Sequence, residues 1–444
     1  MSHGELATKK HKRLKKSFSF VLMCRLVGIS ASFLVLYSLD LLQGGGCSDM
    51  GEIVAAFGTV HAPQLIIRPP DENPEMLDAS IAAMRELGKI LDETKPDAIV
   101  FLGSDHLETF SMKCIPTFAI IGGKRATAEF AGRNYDLPIH SELAEDFLDK
   151  LIHHGFDIAY SEDAVLGHTF AVPFEYLIEK RNIPIIPFHT NVYMPPLPTA
   201  SRCAALGRTI AKIIQGRPER VAIIASGGMS HYPGTSKYPQ PEYEFDRWMI
   251  SQLEIGNTDA VLNLEPEQLD ETGNTEMLNW TIMLGAIGSV PGELLQYTPT
   301  WHHGHCMMRF IPARQRQRPI QRVSEEYGGF KFKNEGFQFY KHPPASAQQL
   351  NRLLFDMRQN TELCQRIIDN FDSVAEEYEL EPHQRKAARG LVEVGGSKVV
   401  SEYVPAMVEA GAHPLSALMS LLTIYPMSRK TMMGISAGTP QSSM

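Results

Sequence analysis

The sequence predicts an α/β fold: a domain with a largely internal mixed sheet flanked by helices, followed by a small all-helical C-terminal domain. Three observations predict it. Short apolar runs of strand length alternate with stretches of helical periodicity from about residue 50 to residue 310. From about Ser346 onward the apolar residues recur only at helical spacing. Between these regions, residues 312–345 are rich in Arg, Gln, Gly and Pro and follow neither pattern.

Taken in order, Ile53-Val54-Ala55-Ala56-Phe57 reads as a strand ending near Gly58. Leu77, Ile81, Met84, Leu87 and Leu91 recur at helical spacing over Met76–Leu91, and Lys95-Pro96-Asp97 breaks that helix. Ala98–Leu102, Ile183–Phe188 and Val221–Ala225 are further apolar strands, with a helix over Ala204–Ile214. Glu276 and Trp280 fall in a helix that continues through Met283 and Ile287. Arg314, Arg316, Arg318 and Pro343-Pro344 mark 312–345 as a linker or wrapping arm, its arginines a solvated face. Leu350, Leu353, Leu354 and Met357 form one helical stripe, and Leu363, Ile367 and Ile368 another; Val399–Met407 and Leu415–Leu422 complete a small bundle. The expected division is therefore 1–49, 50–311, 312–345, 346–425 and a tail, 426–444.

The 444 residues are 43% hydrophobic and 21% charged, ample for a sizeable core. A formal charge of −9 argues against nucleic acid as a partner, because phosphate binding needs a basic surface. The six cysteines form no CxxC pair, which fits a reducing compartment better than a disulfide framework. Residues 1–49 stand apart. A basic run, Lys9 to Lys16, precedes an apolar stretch, Phe18–Leu42, in the order of a signal peptide or anchor. Arg25 and Asp40 interrupt that stretch, and Met50 opens directly into a strand. The segment is therefore expected to be a leader or a mis-assigned start, and the protein cytoplasmic, with no membrane partner.

The histidines carry the functional signal. Four segments place one in a small-residue context at a strand end: Gly58-Thr59-Val60-His61, Gly103-Ser104-Asp105-His106, Gly167-His168-Thr169 and Gly227-Gly228-Met229-Ser230-His231. Glu276 follows in Asn274-Thr275-Glu276. Two imidazoles and one carboxylate on one face of an ion leave positions open, the arrangement that holds non-haem iron(II) for oxygen chemistry. Each segment alone is more often structural, since a strand-end histidine usually satisfies a hydrogen bond and a helical Glu is usually solvated. Their order and context together make the case.

Over roughly residues 50–310 these motifs resemble the class III extradiol dioxygenases, in particular the protocatechuate 4,5-dioxygenase and gallate dioxygenase family. The resemblance implies Fe(2+) held by His61, His106 and Glu276. It also implies His231 as the acid/base residue and His168 as a further active-site histidine that hydrogen-bonds the oxygen. An imidazole is suited to take a proton and later return it. The expected partners are a small aromatic diol and O2, with Ser104 and His303 near the substrate, and the expected assembly is a homo-oligomer, a dimer. This chain departs from the family pattern at three places: Ser104 stands where Asn is frequent, and Gly167 and Thr169 replace the Asp and Gly that flank the third histidine. Residues 346–425 resemble the small subunit of protocatechuate 4,5-dioxygenase, a helical cap over the pocket. That likeness rests on Leu350-Asn351-Arg352-Leu353-Leu354, Tyr378-x-Leu380 and Gln384-Arg385-Lys386-Ala387.

The competing readings are a zinc enzyme on the same scaffold and a non-catalytic binding protein. His153 and His154 are expected on a helix surface, and His189 at a strand end near the pocket. Within Trp301-His302-His303-Gly304-His305, neighbouring side chains on a strand would point to opposite faces, so at most one of them lines the site.

Overall fold

The computed structural model describes residues 51–162, 164–311, 329–333, 335–341, 343–396 and 400–432. The expectations for residues 1–49, for the arginines of the arm and for 433–444 fall outside them.

Eight strands form one mixed sheet in the order β6-β3-β7-β2-β8-β1-β10-β9. Its centre is parallel: β7 (Ile185–Thr190), β2 (Ala98–Ser104), β8 (Arg220–Ser226) and β1 (Glu52–Thr59) run side by side. β10 (Gly304–Phe310) pairs antiparallel with β1 and with β9 (Glu293–Pro299). On the other side, β3 (Phe118–Ile121) is antiparallel to β7 and parallel to β6 (Ala159–Ser161). A separate hairpin joins β4 (Arg125–Phe130) and β5 (Arg133–Pro138). Every residue of β2 and β7 is buried, which is why these strands read as unbroken apolar runs rather than as alternation.

The expected strands are present, and Pro74–Thr94, Ala200–Gln215 and Met277–Ile287 are helices with ends moved by a few residues; Glu276 stands just before the last of these rather than within it, and the stretch expected as one helix to Met407 is a 3-10 turn, Val400–Tyr403, followed by the helix Val404–Glu409. Helix Pro74–Thr94 starts at Asn73, whose side chain accepts from Glu75 N and Met76 N, with Pro74 at the first turn. The helix Met277–Ile287 is buried on nearly all sides, so its sequence is apolar around its whole circumference. It lies very close to Ala200–Gln215. A Cβ on Gly207 would sit 1.8 Å from the Ile282 carbonyl oxygen, and one on Gly285 2.2 Å from that of Ala204.

Beyond β10 the described part of the arm lies along the sheet domain. Phe330, Phe332, Phe337 and Phe339 pack on the main core, and Asp270 accepts from the backbone N–H groups of Gln338, Phe339 and Tyr340. The helices Gln348–Gln359, Thr361–Glu377 and Pro414–Met432 enclose a second core that includes Leu350, Leu353, Leu354, Ile367 and Leu421. The last helix continues through Pro426 to Met432, so 426–432 are helical rather than tail. Among the described residues no helix is long and apolar enough to cross a membrane.

The close approach of the two glycine-bearing helices fixes the helix that starts beside Glu276. Gly207→Ala is expected to lower stability by about 1–3 kcal/mol in denaturant unfolding. Gly396→Ala, with nothing within 4 Å of its added Cβ, should stay within about 0.5 kcal/mol of the parent. Equal unfolding midpoints for the two variants would contradict the packing described here.

Candidate functional site

The parallel strands end on one edge of the sheet, and the site is built from the turns that follow them. His61 lies just after β1, His106 just after β2, Tyr193 just after β7, and Gly227 to His231 directly after β8. Glu276 immediately precedes the helix Met277–Ile287. That helix is fastened to the end of β8: Asn279 Nδ2 donates to Ser226 O at 2.9 Å, and Trp280 Nε1 to Gly227 O at 3.1 Å. The Trp280 ring occupies the space over Gly58, where a Cβ would come within 2.2 Å. His61, His106, His168, His231 and Glu276 are all buried.

Three of these histidines converge on one oxygen of Glu276. Glu276 Oε1 lies 3.1 Å from His61 Nε2, 2.9 Å from His106 Nε2 and 3.7 Å from His231 Nε2. Their hydrogen bonds assign the tautomers. Ser226 Oγ donates to Thr169 O at 2.8 Å, so it accepts from His61 Nδ1 at 3.0 Å. Thr169 Oγ1 donates to Ser104 O at 2.9 Å, so it accepts from His106 Nδ1 at 3.1 Å. With both protons on Nδ1, each Nε2 turns a bare lone pair toward the carboxylate. Burial pushes both imidazoles below their ordinary value, His106 to about 4, so they stand neutral. Burial works to raise the Glu276 carboxyl, so the group stays ionised only with positive charge beside it. Its Oε2 accepts from Gly228 N at 2.6 Å.

Two lone pairs facing a carboxylate oxygen at such distances repel one another unless a cation lies among them. Neighbouring donors on an octahedral ion, each about 2.1 Å from it, are themselves about 3 Å apart. The separations of 2.9 and 3.1 Å match that spacing, so the donor set fits a divalent ion. The ligating atoms of His61, His106 and His168 also lie within 4.8 Å of one another.

Around this centre, His231 Nδ1 donates to Met229 O at 2.8 Å, leaving its Nε2 free to accept. The Tyr193 hydroxyl donates to Glu276 Oε1 at 2.7 Å and stands 3.2 Å from His231 Nε2. Burial, then Glu276, raises the Tyr193 phenol well above its ordinary value and keeps it a donor. His303 stacks on His231 with ring centres 3.9 Å apart, and its Nε2 has no protein partner. Ser104 Oγ is likewise buried without one. Asp246 anchors the loop before His231 by accepting from Ser230 N at 3.1 Å.

The remaining histidines have different surroundings. His302 and His303 lie in the bend before β10, not on a strand. His302 Nε2 pairs with Glu72 at 2.6 Å, while His305 Nδ1 meets Ser80 Oγ at 3.1 Å. His189 is buried near the end of β7 with neither ring nitrogen bonded, and burial pushes it down to about 3. His153 ends the helix Ser141–His153 and is exposed. The sequence reading missed Tyr193 and Glu108. Tyr193 shared the strand-end position that singled out the histidines. Glu108, which accepts from His168 Nδ1 at 2.9 Å, lies two residues past His106 and carried no separate signal.

A family model described as the catalytic LigB subunit of aromatic ring-opening dioxygenase matches residues 55–308. The chain belongs to this family. Similar proteins include the 2,3-dihydroxyphenylpropionate/2,3-dihydroxicinnamic acid 1,2-dioxygenase of Klebsiella pneumoniae (strain 342), 30% identical over 183 residues, 41% of this chain and 56% of that protein. The protein of the same name from Comamonas testosteroni is 31% identical over 192 residues, 42% of this chain and 59% of that one. A 1,2-dioxygenase 2 for the same compounds, from Pseudomonas putida, is 27% identical over 215 residues, 47% and 64% of the two chains. The chain thus spans somewhat under two thirds of the length of these relatives. His61, His106, His168, His231, Glu276 and Tyr193 all lie inside the LigB-matched segment.

Burial raises the Asp246 carboxyl to about 7, so the folded protein keeps a proton there that an unfolded chain has released. Between an ordinary value of about 4 and about 7, the native state binds more protons than the unfolded state. Stability from this group is therefore present at the acid end and falls as pH rises through that window. Asp246→Asn is expected to flatten that fall when unfolding free energy is measured across it. An unchanged slope would show that Asp246 is ionised throughout.

Proposed function

We propose that this LigB-family chain is an iron(II)-dependent extradiol dioxygenase that opens the ring of a catecholic aromatic acid by inserting both atoms of O2. The observation that carries the reading is the pair of bare imidazole nitrogens, on His61 and His106, facing one oxygen of the buried Glu276. His61, His106 and Glu276 would hold the ion. When bound, iron(II) supplies the open coordination positions and the electron transfer that let a catechol react with dioxygen.

The chain's own residues do the rest. His231 Nε2, the accepting nitrogen of the neutral ring because Nδ1 donates to Met229 O, takes the proton of a substrate hydroxyl and returns it as the ring opens. Gly227 and Gly228 let the backbone approach closely: a Cβ at 228 would lie 1.9 Å from His303 Nε2. Tyr193 is a fixed donor beside His231, and His168 presents its ring to the oxygen side of the site. The unpaired Ser104 Oγ and His303 Nε2 are buried polar atoms that a substrate's oxygens would satisfy. A catechol bearing an acid group is common to the protocatechuate and gallate resemblance and to the compounds in the relatives' names.

The His61, His106 and His168 cluster favours a second reading, a three-imidazole zinc site. Anaerobic reconstitution with iron(II) or zinc separates the two. Oxygen uptake would then be measured over protocatechuate, gallate, 2,3-dihydroxyphenylpropionate and catechol itself. Uptake with iron alone, on at least one catecholic acid, is the expected result; no uptake on any of them sinks the proposal.

His61→Ala, His106→Ala and Glu276→Ala are each expected to stay folded but lose iron and oxygen uptake. Full iron occupancy in Glu276→Ala would remove that ligand. His231→Ala is expected to keep iron and bind catechol, with turnover lower by about 10²–10⁴-fold. The loss should fall on kcat more than on KM, because the proton moves in the transition state. Near-normal turnover per folded molecule would take His231 out of the mechanism.

A further inference from the structure

His168 is held from behind by a carboxylate, and that carboxylate is held by a residue from far along the chain. Glu108 Oε1 accepts from His168 Nδ1 at 2.9 Å, and Oε2 accepts from His168 N at 3.1 Å, so one carboxylate grips both the ring and the backbone. It occupies room that only glycine leaves: a Cβ on Gly167 would lie 1.9 Å from Glu108 Oε2.

Glu108 sits in a tight loop. Asp105 accepts from the N–H groups of Glu108, Thr109 and Phe110 at 3.0, 2.9 and 3.2 Å, and Leu107 adopts a left-handed φ of 57°. For a residue with a Cβ that conformation is strained and persists only where its surroundings enforce it. The enforcing groups come from the helix Gln348–Gln359. Arg358 Nη1 donates to Leu107 O at 2.7 Å, while Nη2 lies 3.4 Å from His106 O and 3.6 Å from Glu108 Oε1. Gln359 Nε2 donates to Glu108 O at 2.7 Å. The Arg358 side chain is only 4% exposed, and a buried guanidinium is stable only against acceptors such as these. Arg358 and Gln359 both lie beyond the LigB-matched segment.

We propose that Glu108, clamped by Arg358, is a positioning residue for His168. It fixes the proton on Nδ1 and turns Nε2 toward the reacting groups, so the C-terminal helices help set the catalytic geometry. The proposal rests on the reading of His168 as an active-site residue. A carboxylate behind an active histidine sets both tautomer and ring orientation, and losing such a partner typically lowers activity by about 10–100-fold.

The test uses the full chain and the variants Glu108→Gln, Arg358→Lys, His168→Ala and Glu108→Gln/His168→Ala. Glutamine has one acceptor oxygen where the carboxylate has two, so it cannot serve both His168 donors. Glu108→Gln is expected to keep its iron content, fold with a lowered Tm because the buried Arg358 loses its carboxylate partner, lose about 10–100-fold in kcat with little change in KM, and release more peroxide per O2 consumed. Added to His168→Ala, it should cause no further loss, because it acts through that ring. In the metal-free protein, 15N imidazole spectra should show His168 protonated on Nδ1 in the parent and as a mixture of tautomers in Glu108→Gln. Arg358→Lys keeps the charge but not the forked donors; it is expected to show the same non-additivity to a smaller degree, and serves if Glu108→Gln does not fold. Additive losses in the double variant, or an unchanged His168 tautomer, overturn the clamp. Normal turnover in His168→Ala would overturn instead the role given to His168, and the tautomer would still decide whether Glu108 fixes the ring.

Discussion

A fully buried carboxylate facing the lone pairs of two neutral imidazoles is the constraint on which the rest of this structure depends. Such a cluster is unfavourable on its own, because burying an ionised group without compensation is among the most costly things a fold can do. Gly228 N and the Tyr193 hydroxyl compensate part of it. A cation would compensate the remainder, and would turn the repulsion between the three donors into shared ligation. The hydrogen bonds behind the ring enforce this state: Ser226 and Thr169 each spend their own proton on a backbone carbonyl and so can only accept from the histidines.

The scaffold explains how residues so far apart in sequence meet. The parallel strands deliver their following turns to one edge, and the helix Met277–Ile287 brings Glu276 across from the other side. That helix is placed by contacts with little tolerance: glycine against helix backbone, Trp280 over Gly58, and hydrogen bonds to the end of β8. Small residues at these positions allow close approach; larger ones would move the carboxylate away from the imidazoles.

Two small residues beside His168 are explained in the same terms. Thr169 supplies the hydroxyl that assigns the His106 tautomer. Gly167 makes room for Glu108. The arm and the C-terminal helical region also reach the Tyr193 side of the site. Tyr340 packs against the Tyr193 ring, with centres 5.0 Å apart, and His413 Nε2 meets Tyr193 O at 2.9 Å. The C-terminal region therefore contacts both flanks of the candidate centre.

Much of this was legible before any coordinates. Apolar runs marked the buried strands because both faces of β2 and β7 are covered, and glycine-flanked histidines marked the strand ends because the backbone must turn sharply there. Periodicity of Leu350, Leu353, Leu354 and Met357 marked a helix because only one of its faces is buried. Strands β3, β4, β5, β6, β9 and most of β10 escaped notice, since pairing with neighbours rather than composition makes them strands. Local pattern likewise said nothing of Tyr193, Glu108 or Arg358. Their roles depend on which atom lies within three ångströms of which, and Arg358 meets Leu107 across 251 positions of chain. The residue types capable of the chemistry, and their order, were determined by the sequence alone. Which nitrogen holds a proton, which oxygen faces it and which distant side chain keeps it there were decided only by tertiary packing, because hydrogen bonds are set by distance and direction in space.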